Sequence, residues 1–322
     1  MPVSMIIPSY NGLELLKRLL PSISISLPSL QDYEVIVVDD GSEDGTESYL
    51  RNHFPQIKVI TLLPNMGFGC ACNIGVKNAR YDLICLLNND VSLSPNFISE
   101  TLRAWEENLS RSKKLYAITC KVMKEGEDTV YQGRTVGHFE KGEVMIHPIT
   151  DEKGSTFFAS GVMMVFQKDT FLELGGFDDL YRPFYWEDVD ICYRALKKGY
   201  EILYEPQSLI YHKDQGTTVF SKKGRLSLFF AKMYARIIQE RNQYLFTWKN
   251  ILDKDLILRH IQWIPIQLLL SLKNKDHIFK SVGFIFALMR LKKTLRRRKQ
   301  ECEKRYSLSD REVLSMRVEY FE

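Results

Sequence analysis

Cysteine is sparse and scattered in this 322-residue chain: there are six, and no CxxC pair has the spacing of a zinc site. Cys70 and Cys72 stand one residue apart, while Cys85, Cys120, Cys192 and Cys302 are isolated. A disulfide scaffold is excluded, since such scaffolds are short and cysteine-dense. The pattern predicts a reducing, cytosolic setting in which cysteine behaves as a small hydrophobe. With 18 glycines and 11 prolines, collagen-like and low-complexity chains are excluded. No internal repeat of fixed period occurs. No GxGxxG follows the first apolar run, which argues against a dinucleotide-binding dehydrogenase. No apolar run reaches the roughly 20 residues that a membrane-spanning helix needs. Leu256–Leu272 comes nearest but is interrupted by Arg259, His260 and Pro265, and Val282–Met289 is apolar for eight residues only. The first residues, Met1 to Pro8, carry no basic n-region and read as a first β-strand rather than a signal peptide.

What is present is the composition of a globular protein, 45% hydrophobic, 26% charged and 12% aromatic, with length for two domains or one large one. The net charge of +4 is unevenly placed. Lys273–Arg305 holds 12 basic and 3 acidic residues, a net of +9, which leaves the rest of the chain at −5. A basic tail on a mildly acidic body predicts a surface-binding element.

The first 120 residues alternate strand and helix signals. Apolar runs at Val3–Pro8, Glu34–Val38, Ile57–Leu62 and Leu83–Leu87 are separated by helical patterns, as at Leu13, Leu16, Leu19 and Leu20. Such runs predict a parallel sheet buried on both faces, with ligands bound at the carboxyl ends of its strands. The polar clusters fall there: Ser9-Tyr10-Asn11, Asp39-Asp40 and Asn88-Asn89-Asp90. Lys121–Ile149 reads as hairpins or a mobile segment. A short helix is predicted over Ile191–Lys198, stopped by Gly199. Strand signals at Glu201–Tyr204 and Tyr211-His212 close the body, and the pattern is helical from about Ser221 onward.

Four groups carry potential chemistry. Asp39-Asp40 is either a turn and helix cap or an acceptor for the N–H of a nucleotide base. Asn88-Asn89-Asp90 is either turn chemistry or a carboxylate aimed at a hard divalent cation, which takes its other oxygens from phosphate. Glu187-Asp188 lies beside Phe184, Tyr185 and Trp186, where partial desolvation raises a carboxyl pKa and suits a general base. The alternative is the acidic first turn of the next helix, the reading preferred for Asp190. His212 at a strand end is a structural histidine, or a second ligand if a Mn²⁺ or Mg²⁺ site exists.

In order, these segments resemble the family 2 glycosyltransferases with the GT-A fold, most of all a bacterial rhamnosyltransferase-like branch. The likeness spans about Val3 to Thr218. It is carried by Ile7-Pro8-Ser9-Tyr10-Asn11-Gly12, by Val37-Val38-Asp39-Asp40-Gly41-Ser42 with Asp44-Gly45-Thr46, and by Asn65-Met66-Gly67-Phe68-Gly69 with Asn73 and Gly75. Leu86-Leu87-Asn88-Asn89-Asp90, Gly161, Gly175-Gly176-Phe177-Asp178, Glu187-Asp188-Val189-Asp190 with Gly199-Tyr200, and Tyr211-His212 complete it. Past residue 220 only Arg241-Asn242 matches relatives. The resemblance implies an α/β GT-A domain over 1–220, its first half (1–120) binding the nucleotide-sugar and its second (121–220) the acceptor, with a helical basic extension over 221–322.

The resemblance also implies roles. Pro8, Tyr10, Asn11, Asp40, Asn65, Gly67, Asn73 and Asn89 would line the nucleotide-sugar site. Asp90, in the place of the family's DXD motif, and His212 would hold the divalent cation. Asp188 would be the catalytic base with Glu187 beside it, and Trp186 would face the acceptor. Two departures stand out: one carboxylate remains in the DXD place, and Trp186 replaces a common glycine. The implied activity is inverting transfer from a nucleotide-diphosphate sugar to a glycan or polyprenyl-diphosphate-linked acceptor of a bacterial surface polysaccharide. A nucleotidyltransferase and a degenerate, membrane-recruited scaffold are the competing readings. The first lacks a Gly-rich basic phosphate loop, and Asp90, Asp188 and His212 argue against the second.

The basic tail lacks the interleaved aromatics of a nucleic-acid platform. Beside Val282–Met289, the residues Arg290, Lys292, Lys293 and Arg296–Lys299 predict peripheral attachment to an anionic cytoplasmic leaflet, through Phe284, Ile285, Phe286 and Leu288. The competing expectation is a set of core-packed helices with a solvated basic end.

Overall fold

Strand β1 (Val3–Ser9) is buried along its whole length, because both faces of its sheet are covered. Its alternate residues split between two cores: Ile6 packs on one side of the sheet, Met5 and Ile7 on the other. This two-residue period with apolar side chains on both faces explains why the strand reads as an unbroken hydrophobic run. The computed structural model describes residues 1–27, 33–109, 114–213, 224–271 and 275–316.

The first half runs β1, α1 (Leu13–Ser26), β2 (Tyr33–Asp39), α2 (Thr46–His53), β3 (Lys58–Thr61), α3 (Phe68–Lys77), β4 (Leu83–Leu87), β5 (Val91–Leu93) and α4 (Phe97–Leu109). Strands β1 to β4 are parallel, in the order β4-β1-β2-β3. Helix α3 lies so close to the sheet that a Cβ on Gly75 would stand 2.3 Å from the Ile6 side chain, which restricts that position to glycine.

The second half contains β6 (Leu115–Lys124), β7 (Val130–Gln132), β8 (Thr135–Glu140), β9 (Glu143–Pro148), β10 (Gly154–Ser155), β11 (Met163–Gln167), α5 (Lys168–Glu173), α6 (Glu187–Lys197) and β12 (Glu201–His212). Strand β11 inserts antiparallel between β4 and β6, and β12 adds parallel to β6, so the extended sheet is mixed. The segment expected as hairpins holds an antiparallel β8–β9 ribbon. The two strand signals after Gly199 are one strand, β12, whose register slips between Glu205 and Leu209 around Pro206. A proline is accommodated at such an irregularity because it has no N–H for the ladder. Helix α6 begins at Glu187, four residues before the apolar pattern announces it, since its first turn is acidic. It ends in a Schellman arrangement: Gly199, at φ +80°, donates to Leu196 O and Tyr200 donates to Ala195 O.

Helices α7 (Gly224–Asn250), α8 (Lys254–Ser271), α9 (Lys275–Leu288), α10 (Leu291–Cys302) and α11 (Asp310–Leu314) follow. Ser221 and Leu272, at the edges of the expected helical stretches, lie outside the described residues. These helices share the core of the sheet: Tyr244, Leu245, Phe246, Leu256, Ala287 and Val313 belong to the cluster that contains Ile6 and Ile84. Two details narrow the surface left for the expected membrane attachment. Phe284 points inward, edge-on to Tyr244 and Trp248 at 5.4 and 6.0 Å. Four of the seven basic residues are engaged by the protein itself. Arg290 donates to Leu180 O, Lys293 and Arg297 pair with Asp179, and Arg298 donates to Trp248 O and Ile251 O. Burial would raise the Asp179 pKa, but Lys293 and Arg297 bring it down to about 2. Lys292, Arg296 and Lys299 remain exposed. No helix among the described residues is long and apolar enough to cross a membrane.

Candidate active site

The carboxyl ends of β1, β2 and β4 meet in one network. Asn11, at φ +49°, donates through its backbone N–H to Ser42 Oγ, and its Oδ1 accepts from Glu43 N–H. Asp44 accepts from Leu13 N–H at 2.9 Å, at the first residue of α1. Asn89 Nδ2 donates to Ser9 Oγ at 2.9 Å. Pro8 is buried opposite Val38, while Tyr10 stands at the surface, 36% exposed.

Asp40 is buried, and each of its oxygens accepts a backbone N–H: Oδ1 from Met66 at 2.7 Å, Oδ2 from Gly67 at 2.8 Å. Burial raises its pKa, and these two bonds oppose the rise. Asn65 Nδ2 donates to Asp40 O, so the 65–67 loop is fixed to the end of β2. A carboxylate oxygen has a further lone pair, so Asp40 retains acceptor capacity. Asn73 is engaged elsewhere: its Nδ2 donates to Phe177 O at 2.8 Å and its Oδ1 accepts from Phe177 N–H at 2.9 Å. That makes it a brace between α3 and the Gly175-Gly176-Phe177 turn.

Asp90 and His212 are brought together. Antiparallel pairing of β12 with β5 sets His212 opposite Val91, and His212 Nε2 lies 3.3 Å from Asp90 Oδ2. Both side chains are buried, yet Asp90 Oδ1 and His212 Nδ1 have no hydrogen-bond partner among the described residues. Tyr131 of β7 stacks on the imidazole, with ring centroids 4.6 Å apart. Cis ligands of an octahedral ion bound at about 2.1 Å stand about 3 Å apart. The pair, with its orphaned buried oxygen, therefore fits a hard cation completed by substrate oxygens.

Glu187 and Asp188 open α6 on the wall of a cavity of about 850 Å³. That is a volume typical of ligand sites. Asp188 Oδ2 accepts from Gly161 N–H and Oδ1 from Val189 N–H, both at 2.8 Å. Burial raises its pKa against those two bonds. Glu187 is more deeply buried, with Oε2 unpartnered among the described residues, and burial followed by the Asp188 charge pushes its pKa well up. Trp186 lines the same cavity, with its ring 5.1 Å from Phe246. Tyr185 and Trp186 hold φ values of +73° and +75°, a left-handed conformation that costs a non-glycine residue about 1–3 kcal/mol.

Asp190 is structural and completely buried. It pairs with Arg194 and Lys249 and accepts from Tyr181 and Asn250. Burial would raise its pKa, but the two cations hold it well below the carboxylate range. Sequence reasoning missed the contribution of α7. Gln239 and Gln243, one helical turn apart, line the cavity wall with Asp188, and Arg241-Asn242 bond the loop before it. Arg241-Asn242 stood out only as a likeness to relatives, without a role; for Gln239 and Gln243 the one signal is the i, i+4 spacing, and it has no meaning until the face it points to is known.

The family model described as "Glycosyl transferase family 2" matches residues 4–174. Chondroitin synthase of Escherichia coli is 24% identical over 239 residues, 66% of this chain and 34% of that protein. Pre-mycofactocin glycosyltransferase of Mycobacterium tuberculosis is 28% identical over 218 residues, 65% of this chain and 42% of that protein. The chain thus spans about a third to two-fifths of the length of these curated relatives. An uncharacterized glycosyltransferase of Haemophilus influenzae is 24% identical over 287 residues, 86% of this chain and 88% of that one. Among solved structures, the crystal structure of GalNAc-T7 with UDP, GalNAc and Mn²⁺ shares the fold. Its TM-score is 0.57 at 15% identity, covering 79% of this chain and 48% of that chain.

Proposed function

The chain belongs to glycosyl transferase family 2, and on that footing we propose that it is an inverting, cation-dependent sugar transferase with Asp188 as its base. One observation carries the reading. A half-buried carboxylate, fixed by the backbone N–H groups of Gly161 and Val189, stands on the wall of a cavity large enough for a glycan acceptor.

In the proposed reaction Asp188 accepts the proton of an acceptor hydroxyl. The hydroxyl oxygen bonds to the anomeric carbon as the bond to the nucleoside diphosphate breaks, and the diphosphate leaves with the electron pair on the opposite face. Configuration at that carbon inverts. Asp90 and His212 would hold the divalent cation, Mn²⁺ or Mg²⁺, which supplies positive charge to the diphosphate oxygens. Asp40, with Pro8, Tyr10, Asn11 and Asn65, forms the proposed base and ribose pocket; Gly67 and Asn89 adjoin it. Asn73 supports this region through the Phe177 turn rather than by direct contact. Residues 1–120 form the donor half and 121–220 the acceptor half, with 221–322 as the extension.

A bacterial rhamnosyltransferase-like branch suggests dTDP-rhamnose as the donor, with a UDP-sugar as the other candidate. The proposed acceptor is a polyprenyl-diphosphate-linked saccharide, reached by peripheral attachment to an anionic inner leaflet. The exposed Leu269, Ile285 and Met289 support that attachment. The test is direct. A panel of nucleotide sugars with Mn²⁺ is screened for thermal protection, and the protecting sugar is then assayed for hydrolysis and transfer. Protection without any turnover would favour the scaffold reading instead.

A further inference from the structure

The loop that delivers Asp188 does not hold its shape by itself. Tyr185 and Trp186 are consecutive non-glycine residues at φ +73° and +75°, directly before Glu187-Asp188. A Cβ disfavours that region, so the surroundings must impose it. The imposing group is on α7. Asn242 is fully buried, and its Nδ2 lies 2.9, 2.9 and 2.8 Å from the carbonyl oxygens of Tyr181, Phe184 and Tyr185. Its Oδ1 accepts from Arg241 Nε and Nη2 at 2.9 and 2.8 Å, which fixes the amide orientation. Arg241 Nη2 also donates to Arg182 O at 2.6 Å. The far side of Asp188 is tied to the same helix, because Lys249 and Asn250 bond Asp190.

We propose that Asn242 is a positioning residue for sugar transfer, holding the Tyr185–Trp186 backbone in the left-handed conformation that presents Asp188 to the acceptor cavity. This rests on Asp188 being the base. Three carbonyl oxygens converge on one amide nitrogen, a demand that a donor meets and a carboxylate cannot. Helix α7 is thereby part of the catalytic apparatus, although it contributes no reacting group.

The full chain is compared with Asn242→Ala, Asn242→Asp and Tyr185→Gly, singly and with Asn242→Ala and Tyr185→Gly combined. Glycine takes positive φ without the Cβ penalty, so Tyr185→Gly removes the strain that Asn242 opposes. Asn242→Ala is expected to lower kcat by about 10²-fold, as a small displacement of a catalytic group does. Nucleotide affinity, measured by titration, stays at the wild-type value. Asn242→Asp is expected to lose at least as much. In the Tyr185→Gly background the cost of Asn242→Ala is expected to shrink, both in kcat and in thermal midpoint. Wild-type kcat in Asn242→Asp, or strictly additive costs in the double variant, would overturn the proposal. If Asn242→Ala alone does not fold, recovery of folded protein on adding Tyr185→Gly supports the proposal, and no recovery overturns it. Normal transfer by Asp188→Asn would instead defeat the reading of the base, and the coupling of thermal midpoints would still decide the role of Asn242 in holding the loop.

Discussion

His212 Nε2 lies 3.3 Å from Asp90 Oδ2, although Asp90 sits between β4 and β5 and His212 at the far end of β12. Each keeps one buried polar atom without a partner among the described residues. Orphaned buried polar atoms are costly, about 1–3 kcal/mol each, and persist where a ligand completes them. EDTA is therefore expected to abolish transfer, and added Mn²⁺ or Mg²⁺ to restore it. Asp90→Asn and His212→Ala are each expected to weaken cation-dependent thermal protection by the donor nucleotide. Full activity in EDTA would refute the assignment.

Asp188→Asn is expected to keep the fold and nucleotide binding while losing roughly 10²–10⁴ in kcat, the usual weight of general base catalysis. The pH profile gives a second check. Burial raises the Asp188 pKa, so the acid limb of kcat/KM should lie above the ordinary aspartate value of about 3.9. Activity falls as pH drops through that limb, because only the carboxylate accepts a proton. An unshifted limb, or one that survives in Asp188→Asn, would remove Asp188 from this role.

Glu187 makes a prediction about stability. Its pKa is raised in the folded protein, first by burial and then by the Asp188 charge. Its stabilising contribution is therefore present below the ordinary glutamate value of about 4.3 and is lost as pH rises above it. Glu187→Gln does not titrate. Its stability relative to wild type should thus improve as pH rises, by up to about 1.4 kcal/mol per pH unit until the folded-state pKa is passed. Urea unfolding at acidic and neutral pH measures this; an advantage for Gln that shrinks toward neutral pH would contradict the sign.

Membrane attachment is best tested without truncation, because α9 buries Ala287 and Phe284 against the rest of the protein. Leu269, Ile285 and Met289 are 64%, 57% and 78% exposed, and Lys292, Arg296 and Lys299 are also at the surface. Three basic residues supply about 3 kcal/mol at an anionic surface before salt screening. The apolar contribution is much less sensitive to salt. Flotation with anionic vesicles should consequently weaken in salt without vanishing, and should be lost in Leu269→Asp/Ile285→Asp. Flotation that is absent, or indifferent to those substitutions, would count against attachment.

The sequence alone determined the skeleton of the donor half. Strands buried on both faces are apolar over most of their length, so β1, β2 and β4 stand out, and their polar clusters fall at the carboxyl ends; Ser4, buried within β1, is accommodated by donating to Glu34. That local rule located Asp40 and Asp90 just past the ends of β2 and β4, whereas Asp188, in the first turn of α6, stood out by its aromatic neighbours. The tertiary structure decided what each polar group touches. Asn73 binds Phe177, Asp190 gathers Arg194 and Lys249, and the basic face of α10 is partly consumed by Asp179 and by backbone carbonyls. Asn242 reaches carbonyls 57 to 61 positions away in the chain. Apolar burial is a property of pattern and leaves a period in the sequence. A hydrogen bond or an ion pair depends on which distant residue packing brings within about 3 Å, and no local period records that.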